Sequence, residues 1–334
     1  MTKTFLLSTG AALAGLALFS VAASATQLAG APQSYSGTAL EIENFVGRIE
    51  IRTGSADTVS VAMTNTGGHV DDPVVSDAGG TVRIDGGQRL RNVSCNTRNN
   101  TTTIGLNRGQ RHNIDEYPSL VITAPASLAL ELENSAFIGQ AGDLGSLTMN
   151  MRSCGRFTAG DVTGDVRLRI SGSGDVTTSS IGGRAWIDIN GSGDVVTGPV
   201  GDEASIEISG SGDVLTGDVS GDAEVEINGS GDVAFGSVAG LAVNVSGSGD
   251  VEAASVNGAF SARISGSGDI EVHGGRAEPF EASVNGSGDI AFGGTAVNLT
   301  VRENGGGDIS VEAIEGSVNW TRNGRTVMRV GNAN

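Results

Sequence analysis

One aspartate recurs at nearly fixed intervals along the chain, as Asp175, Asp194, Asp213, Asp232, Asp250, Asp269, Asp289 and Asp308, with spacings of 19, 19, 19, 18, 19, 20 and 19 residues. Each ends a close copy of Ser171-Gly172-Ser173-Gly174-Asp175 and is followed by Val or Ile. If each copy occupies one turn of a stack, the carboxylates lie roughly 5 Å apart, a spacing at which like charges repel. Two chemistries could offset that repulsion. Each carboxylate can accept hydrogen bonds from Gly and Ser backbone N–H groups at a tight corner. Alternatively, the column supplies the hard oxygen ligands that calcium takes. The structural role is the expectation and calcium the alternative. Serine and aspartate are also a nucleophile and a carboxylate, but no histidine accompanies them, so a catalytic triad is not supported.

The remaining chemistry-bearing residues are few. Cys95 and Cys154 have no metal-ligand companions nearby, and a disulfide is the economical reading in an exported chain. In the chain-entropy picture such a link contributes roughly 4 to 5 kcal/mol. His69, His112 and His273 are scattered, with no spacing that suggests a metal site. Trp186 falls one repeat after Arg167 in the same outward column, which suggests a surface cation–π contact. Glu303 and then Arg322 occupy an otherwise apolar column at the end of the repeats. They read as a capping ion pair with Trp320 as an apolar lid, because the last coil of a stack needs a polar finish.

The elements that carry these residues are short strands. Aligned on the motif Asp, one column reads Ile170, Ile189, Ile208, Ile227, Val245, Ile264 and Val284, preceded by Leu132 and Met151. Another reads Leu130, Met149, Leu168, Ile187, Ile206, Val225, Val243, Ala262 and Ala282. Charged residues such as Arg169, Asp188, Glu207 and Glu226 fall between them, the period-two alternation of strands with one buried face. Further apolar columns follow the motif (Val176, Val195, Val214) and fall at Val162, Ile181 and Val200. Three apolar faces per 19-residue turn, glycine at the corners and no helical period predict an all-β parallel right-handed β-solenoid. About eleven coils from Pro118 onward, at roughly 4.8 Å each, give a rod near 50 Å long with a thin aliphatic core. In the motif, parity turns Val inward, Asp and Ser outward, and both glycines inward. Those glycines sit where a side chain would collide or where the backbone needs positive φ.

Residues 1–25 read as an export signal, with an apolar run from Phe5 to Val21 before Ala23-Ser24-Ala25. No second apolar stretch follows, so the mature chain is expected to lack a transmembrane segment. Residues 26–37 read as a linker and 38–117 as divergent β coils or a cap, interrupted by a long loop at 86–117. Residues 118–322 read as the regular solenoid and 323–334 as a C-terminal cap and tail. The 334 residues carry 38 acids against 20 Lys and Arg, a formal charge of −18. That excess repels phosphate backbones and anionic surfaces, which demotes nucleic acid as a partner. Two free thiols in place of the disulfide stay open at this stage.

Repeated Ser/Asn-Gly-Ser-Gly-Asp-Val/Ile between short alternating strands, behind a signal peptide and a strand such as Ala39-Leu40-Glu41-Ile42, resembles the bacterial head GIN domain family of auto-transporter adhesins. The resemblance spans roughly residues 38–320. It implies a β-solenoid in the periplasm, at the outer membrane or on the cell surface that binds an envelope, glycan or protein ligand, and it brings no catalytic residues. The final Val330-Gly331-Asn332-Ala333-Asn334 lacks the amphipathic strands of a membrane barrel, so a departure from a true autotransporter is expected. The expected function is therefore non-enzymatic binding or display. A calcium-stabilised scaffold is the alternative. A polysaccharide lyase or hydrolase comes last, because such enzymes need loops and an acid–base cluster on one face.

Overall fold

The computed structural model describes residues 31–98, 101–152 and 154–330. The expected export signal lies outside the described residues, as does the end of the tail at 331–334.

Short strands alternate with glycine corners because only apolar residues at every second position have a dry face to occupy. Stacking those strands produces parallel β coils of about 19 residues, about ten turns in all. One face of the prism is an in-register parallel sheet of Val166–Ile170, Ala185–Ile189, Ala204–Ile208, Ala223–Ile227, Leu241–Val245, Phe260–Ile264 and Phe280–Val284. A second face begins at each motif Val or Ile, with Ser173–Thr178 pairing Val195–Thr197 and so on to Ile270–Val272. The third is a column of single-residue bridges, Leu144, Val162, Ile181, Val200, Val219 and Val238. All four apolar columns read from the sequence are buried. The core is largely aliphatic through the middle coils and aromatic toward both ends: Phe137 packs edge-on against Phe157 at 5.9 Å in the first coils, and in the last Phe260 and Phe280 stack at 4.5 Å with Phe292 edge-on against Phe280.

The first aligned coil differs from expectation by two residues. Leu132 faces Met149 and Leu130 faces Leu147 across the ladder, so Leu132 does not share a rung with Met151. A slip of two keeps each side chain on its own face, which is why the columns still bury correctly.

The N-terminal region is not a simple run of early coils. Ala39–Glu43 lies between Ala129–Glu133 and Thr81–Asp85, so the chain enters the stack one coil in and later doubles back outside itself. Ser119–Pro125, read as the start of the regular coils, runs between the two halves of Val46–Thr64 and belongs to this end. Gln33–Tyr35, within the expected linker, is a strand antiparallel to residues 59–61. At the outer edge Val74–Ala78 pairs antiparallel with Thr81–Asp85. At the opposite end Arg325–Val330 folds back antiparallel on Ile309–Arg322. The turn between them has two consecutive positive-φ residues, Asn323 (49°) and Gly324 (72°), the demand of a two-residue hairpin that Asn-Gly satisfies. Antiparallel strands thus finish both ends of a parallel stack, replacing the flat parallel edge that would otherwise template fibre growth.

The long loop expected at 86–117 is ordered structure. Val93–Arg98, Thr101–Leu106 and Arg111–Asn113 form a separate three-stranded antiparallel sheet, followed by a turn of 3-10 helix, Ile114–Glu116. It carries more apolar surface than its composition suggests: Ile104, Ile114 and Tyr117 bury against Val46 and Ala136 of the solenoid, with Val93 and Leu106 beside them. This flap is a second, small core laid on the outside of the rod.

Candidate functional site

The motif aspartates stand outward in a continuous column, as strand parity requires. The backbone N–H that each carboxylate accepts belongs to the motif Asp of the next coil, and not to Gly or Ser. Asp213 N–H donates to Asp194 Oδ1 at 3.0 Å, Asp232 to Asp213 at 2.9 Å, Asp250 to Asp232 at 2.8 Å, Asp269 to Asp250 at 2.8 Å, Asp289 to Asp269 at 2.7 Å and Asp308 to Asp289 at 2.8 Å. The first rung, Asp194 to Asp175, is longer at 3.5 Å. Arginines flank both ends: Arg156 lies 3.4 Å from Asp175 and Arg322 3.6 Å from Asp308. Midway along the column, burial pushes the Asp250 carboxyl above the ordinary range, and the charges of Asp232 and Asp269 push the same way against the hydrogen bond from Asp269.

The same geometry explains the glycines. A Cβ on Gly210 would stand 1.9 Å from the carbonyl oxygen of Gly191, and one on Gly212 2.1 Å from that of Gly193. Neither has positive φ, so the requirement is close approach of successive coils and not left-handed backbone. In the outward column next to the aspartates, Val196 and Leu215 are adjacent and exposed, forming a shallow apolar strip beside the carboxylates.

The flap contributes a different kind of site. Cys95 on its first strand is joined to Cys154 on the solenoid by a disulfide, and Arg48 forms an ion pair with Asp115. Between flap and coils lies a cleft of about 410 Å³ bordered by Arg48, Thr102, Ile104, Phe137, Arg156 and Asp175. The Tyr117 hydroxyl donates to Ile104 O at 2.9 Å within the flap core. Burial, and secondarily the charge of Glu116, raises its pKa.

The reading of the histidines as scattered is corrected for two of the three. His69 and His112 stack with ring centroids 3.7 Å apart. Glu116 Oε2 lies 3.0 Å from His69 Nε2 and 3.7 Å from His112 Nδ1. The hydrogen bond with His69, followed by that from the Asn113 backbone, holds the Glu116 carboxyl below its usual range. Sequence spacing could not reveal this cluster, because the fold brings His69 across from a separate loop. One local signal was legible: Asn113 caps the turn and Glu116 reaches back to the Asn113 N–H, an Asn-x-x-Glu capping box. His273 lies apart on the rod, between Glu252 (2.6 Å) and Glu271 (3.4 Å).

At the C-terminal end Arg322 Nε reaches Glu303 Oε2 at 2.5 Å; Glu303 is fully buried and Arg322 half exposed. Burial raises the Glu303 carboxyl, but Arg322 and the Trp320 side chain outweigh it and the net shift is downward. Trp320 packs against the end of the core. Arg167 lies over the Trp186 ring, 4.1 Å from its centroid.

Among the described residues no helix is long and apolar enough to cross a membrane. No curated protein and no solved structure matches the chain. One family profile, described as "Putative auto-transporter adhesin, head GIN domain", matches three times, over residues 64–236, 163–256 and 241–323. The overlapping matches follow the repetition of the coils and together span most of the sequence, and on that evidence the chain belongs to the auto-transporter adhesin, head GIN domain family.

Proposed function

We propose that this is an exported, non-enzymatic, adhesin-like binding protein: a rigid acidic rod that presents the flap and its cleft to an envelope, glycan or protein ligand. The observation that carries the reading is the contrast on the rod's surface. Repeated coils stack largely like on like, and each motif carboxylate from Asp175 to Asp289 accepts the next coil's backbone N–H through one oxygen. Among the described residues the flap adds an irregular, disulfide-tethered relief, the usual place for recognition on a regular scaffold.

The arrangement of acids and bases favours binding over glycan cleavage. Asp115 is engaged by Arg48, and Arg111 donates to Ser94 at 3.2 Å, so both serve to hold the flap together. Export accords with the family, the disulfide and the leader-like first 25 residues.

The test is retention of the purified mature chain on bacterial envelope fractions and glycan arrays, beside a variant in which residues 88–112 are replaced by a short Gly-Ser linker. Binding by the parent and its loss in the variant is the expected result. Absence of any envelope, glycan or protein target, or turnover of a glycan, overturns the reading. Calcium at the Asp column, the scaffold alternative, is tested on the same samples. It requires a melting temperature that falls with chelator and returns with calcium; the self-satisfied ladder leads us to expect no change.

A further inference from the structure

We propose that His69, His112 and Glu116 form a three-ligand site for a divalent transition metal of the zinc class. The three side chains come from different segments: the loop before Val74–Ala78, the strand Arg111–Asn113 and the 3-10 turn Ile114–Glu116. One donor atom from each lies within 4.8 Å of the others. A tetrahedral ion with bonds of about 2.1 Å spaces its ligand atoms roughly 3.4 Å apart. The observed separations to Glu116 Oε2, 3.0 Å from His69 Nε2 and 3.7 Å from His112 Nδ1, bracket that value.

The backbone around the ligands is held before any ion arrives, and the two imidazoles, stacked 27° from parallel, turn about their side-chain bonds to aim both nitrogens at one ion. Asn113 N–H donates to Glu116 Oε1 at 3.3 Å, which leaves Oε2 facing the imidazoles. The His69 loop is tied by Asn65, whose amide donates to Val70 O at 2.9 Å and to Asp72 Oδ1 at 2.8 Å. Gly67 brings that loop so close to the turn that a Cβ there would meet Glu116 O at 2.0 Å. The Tyr117 ring lies 5.9 Å from His69 and 6.4 Å from His112 and walls one side.

Two imidazole nitrogens and one carboxylate oxygen suit zinc, nickel, cobalt or copper and are too few oxygens for calcium or magnesium. The imidazoles are about 28 and 29 % exposed and Glu116 49 %, so a fourth position opens to solvent, where a water or a partner's donor completes the shell. The site deepens the role given to the flap but does not depend on it, since metal binding is measured without any macromolecular ligand.

The experiment is calorimetric titration of the untagged mature chain with Zn²⁺ in excess Ca²⁺, which occupies nonspecific carboxylates, and with Co²⁺ followed by visible absorption. The expected result is one tight Zn²⁺ per chain and cobalt bands of a low-coordinate site. His112→Ala and Glu116→Gln weaken binding about tenfold or more, while His273→Ala leaves it unchanged. Glu116→Gln retains an oxygen for the Asn113 N–H, so its loss of binding is separable from misfolding, which the thermal melt of each variant reports. No saturable zinc site, or equal binding in parent and Glu116→Gln, or equal loss in His273→Ala, overturns the proposal.

Discussion

The repeated coils and the flap use the same residue types to opposite ends. In the coils most columns set like on like: Val195 meets Val214, Glu207 meets Glu226, and Asp232 meets Asp250. Such a stack amplifies one interaction many times, and where unlike side chains meet in it, as Arg167 over Trp186 or Arg169 with Asp188, they come from neighbouring coils of one column. The flap interrupts the repetition, and there unlike residues far apart in sequence converge, His69 with His112 and Glu116, Arg48 with Asp115, Cys95 with Cys154. Regularity supplies rigidity, and the interruption supplies chemical variety.

The largest expected difference between the two regions is their response to a single methyl group. Gly210→Ala places Cβ against a backbone carbonyl of the coil below, which neither coil can move without parting the ladder. A loss of about 3 kcal/mol is expected in urea unfolding. In the flap, a Cβ on Gly105 meets side-chain atoms, Ser94 Oγ at 2.8 Å and Arg111 Cγ at 3.0 Å, which can rotate away. Gly105→Ala is expected to cost under about 1 kcal/mol. A Cβ on Gly306, outward in the middle of Gly305-Gly306-Gly307, would meet no atom within 4 Å, so Gly306→Ala is the neutral control. Equal losses at Gly210 and Gly306 would show that loss of glycine flexibility matters and coil contact does not.

A smaller effect separates the two properties of the Asp column, hydrogen bonding and charge. Asp232→Ala removes the acceptor for the Asp250 N–H, at a cost of about 1 to 2 kcal/mol. Asp232→Asn keeps an oxygen acceptor and deletes one like charge between Asp213 and Asp250. Its melting temperature is expected to equal or exceed the parent's. If alanine and asparagine destabilise alike, the column needs its charge and a cation must be sought there.

What was legible in the sequence follows the same division. Ile189, Ile208 and Ile227 announced their shared column because period and parity are local properties repeated many times. The aspartates' outward stance came from the same parity, but their donor did not: whether the N–H comes from Gly, Ser or the next Asp depends on the offset between coils. The flap was legible only as an interruption. Thr102, Ile104 and Leu106 do alternate, yet one short stretch carries little weight against so polar a surrounding. The pairing of His69 with Glu116 depends on a chain reversal that no spacing encodes. The C-terminal hairpin had a clear signal in Asn323-Gly324, which the reading of 323–334 as a cap and tail left unused.

The finest distinction is the response to acid, which should act on the two regions in opposite senses. The Asp250 carboxyl lies above its ordinary range, through burial first and then the neighbouring Asp232 and Asp269 charges. The folded column therefore holds that proton more tightly than the unfolded chain does. Its contribution is fully present below the ordinary carboxylate pKa near 4 and is lost as pH rises through the raised value. Glu116, depressed by its hydrogen bond to His69, behaves the other way. So does Glu303, where Arg322 and Trp320 outweigh the cost of burial. Their contributions are present above the ordinary glutamate range and are lost as pH falls through the depressed values. Hydrogen-exchange protection, corrected for the intrinsic rate at each pH, should hold or rise at the Asp269 N–H between about pH 5 and pH 3. Over the same interval protection should fall around the 3-10 turn of the flap and at the Glu303–Arg322 end. Central coils that open first on acidification would mean that the column draws net stability from its charge, and the contrast between a self-matched rod and a chemically varied flap would then need a different physical basis.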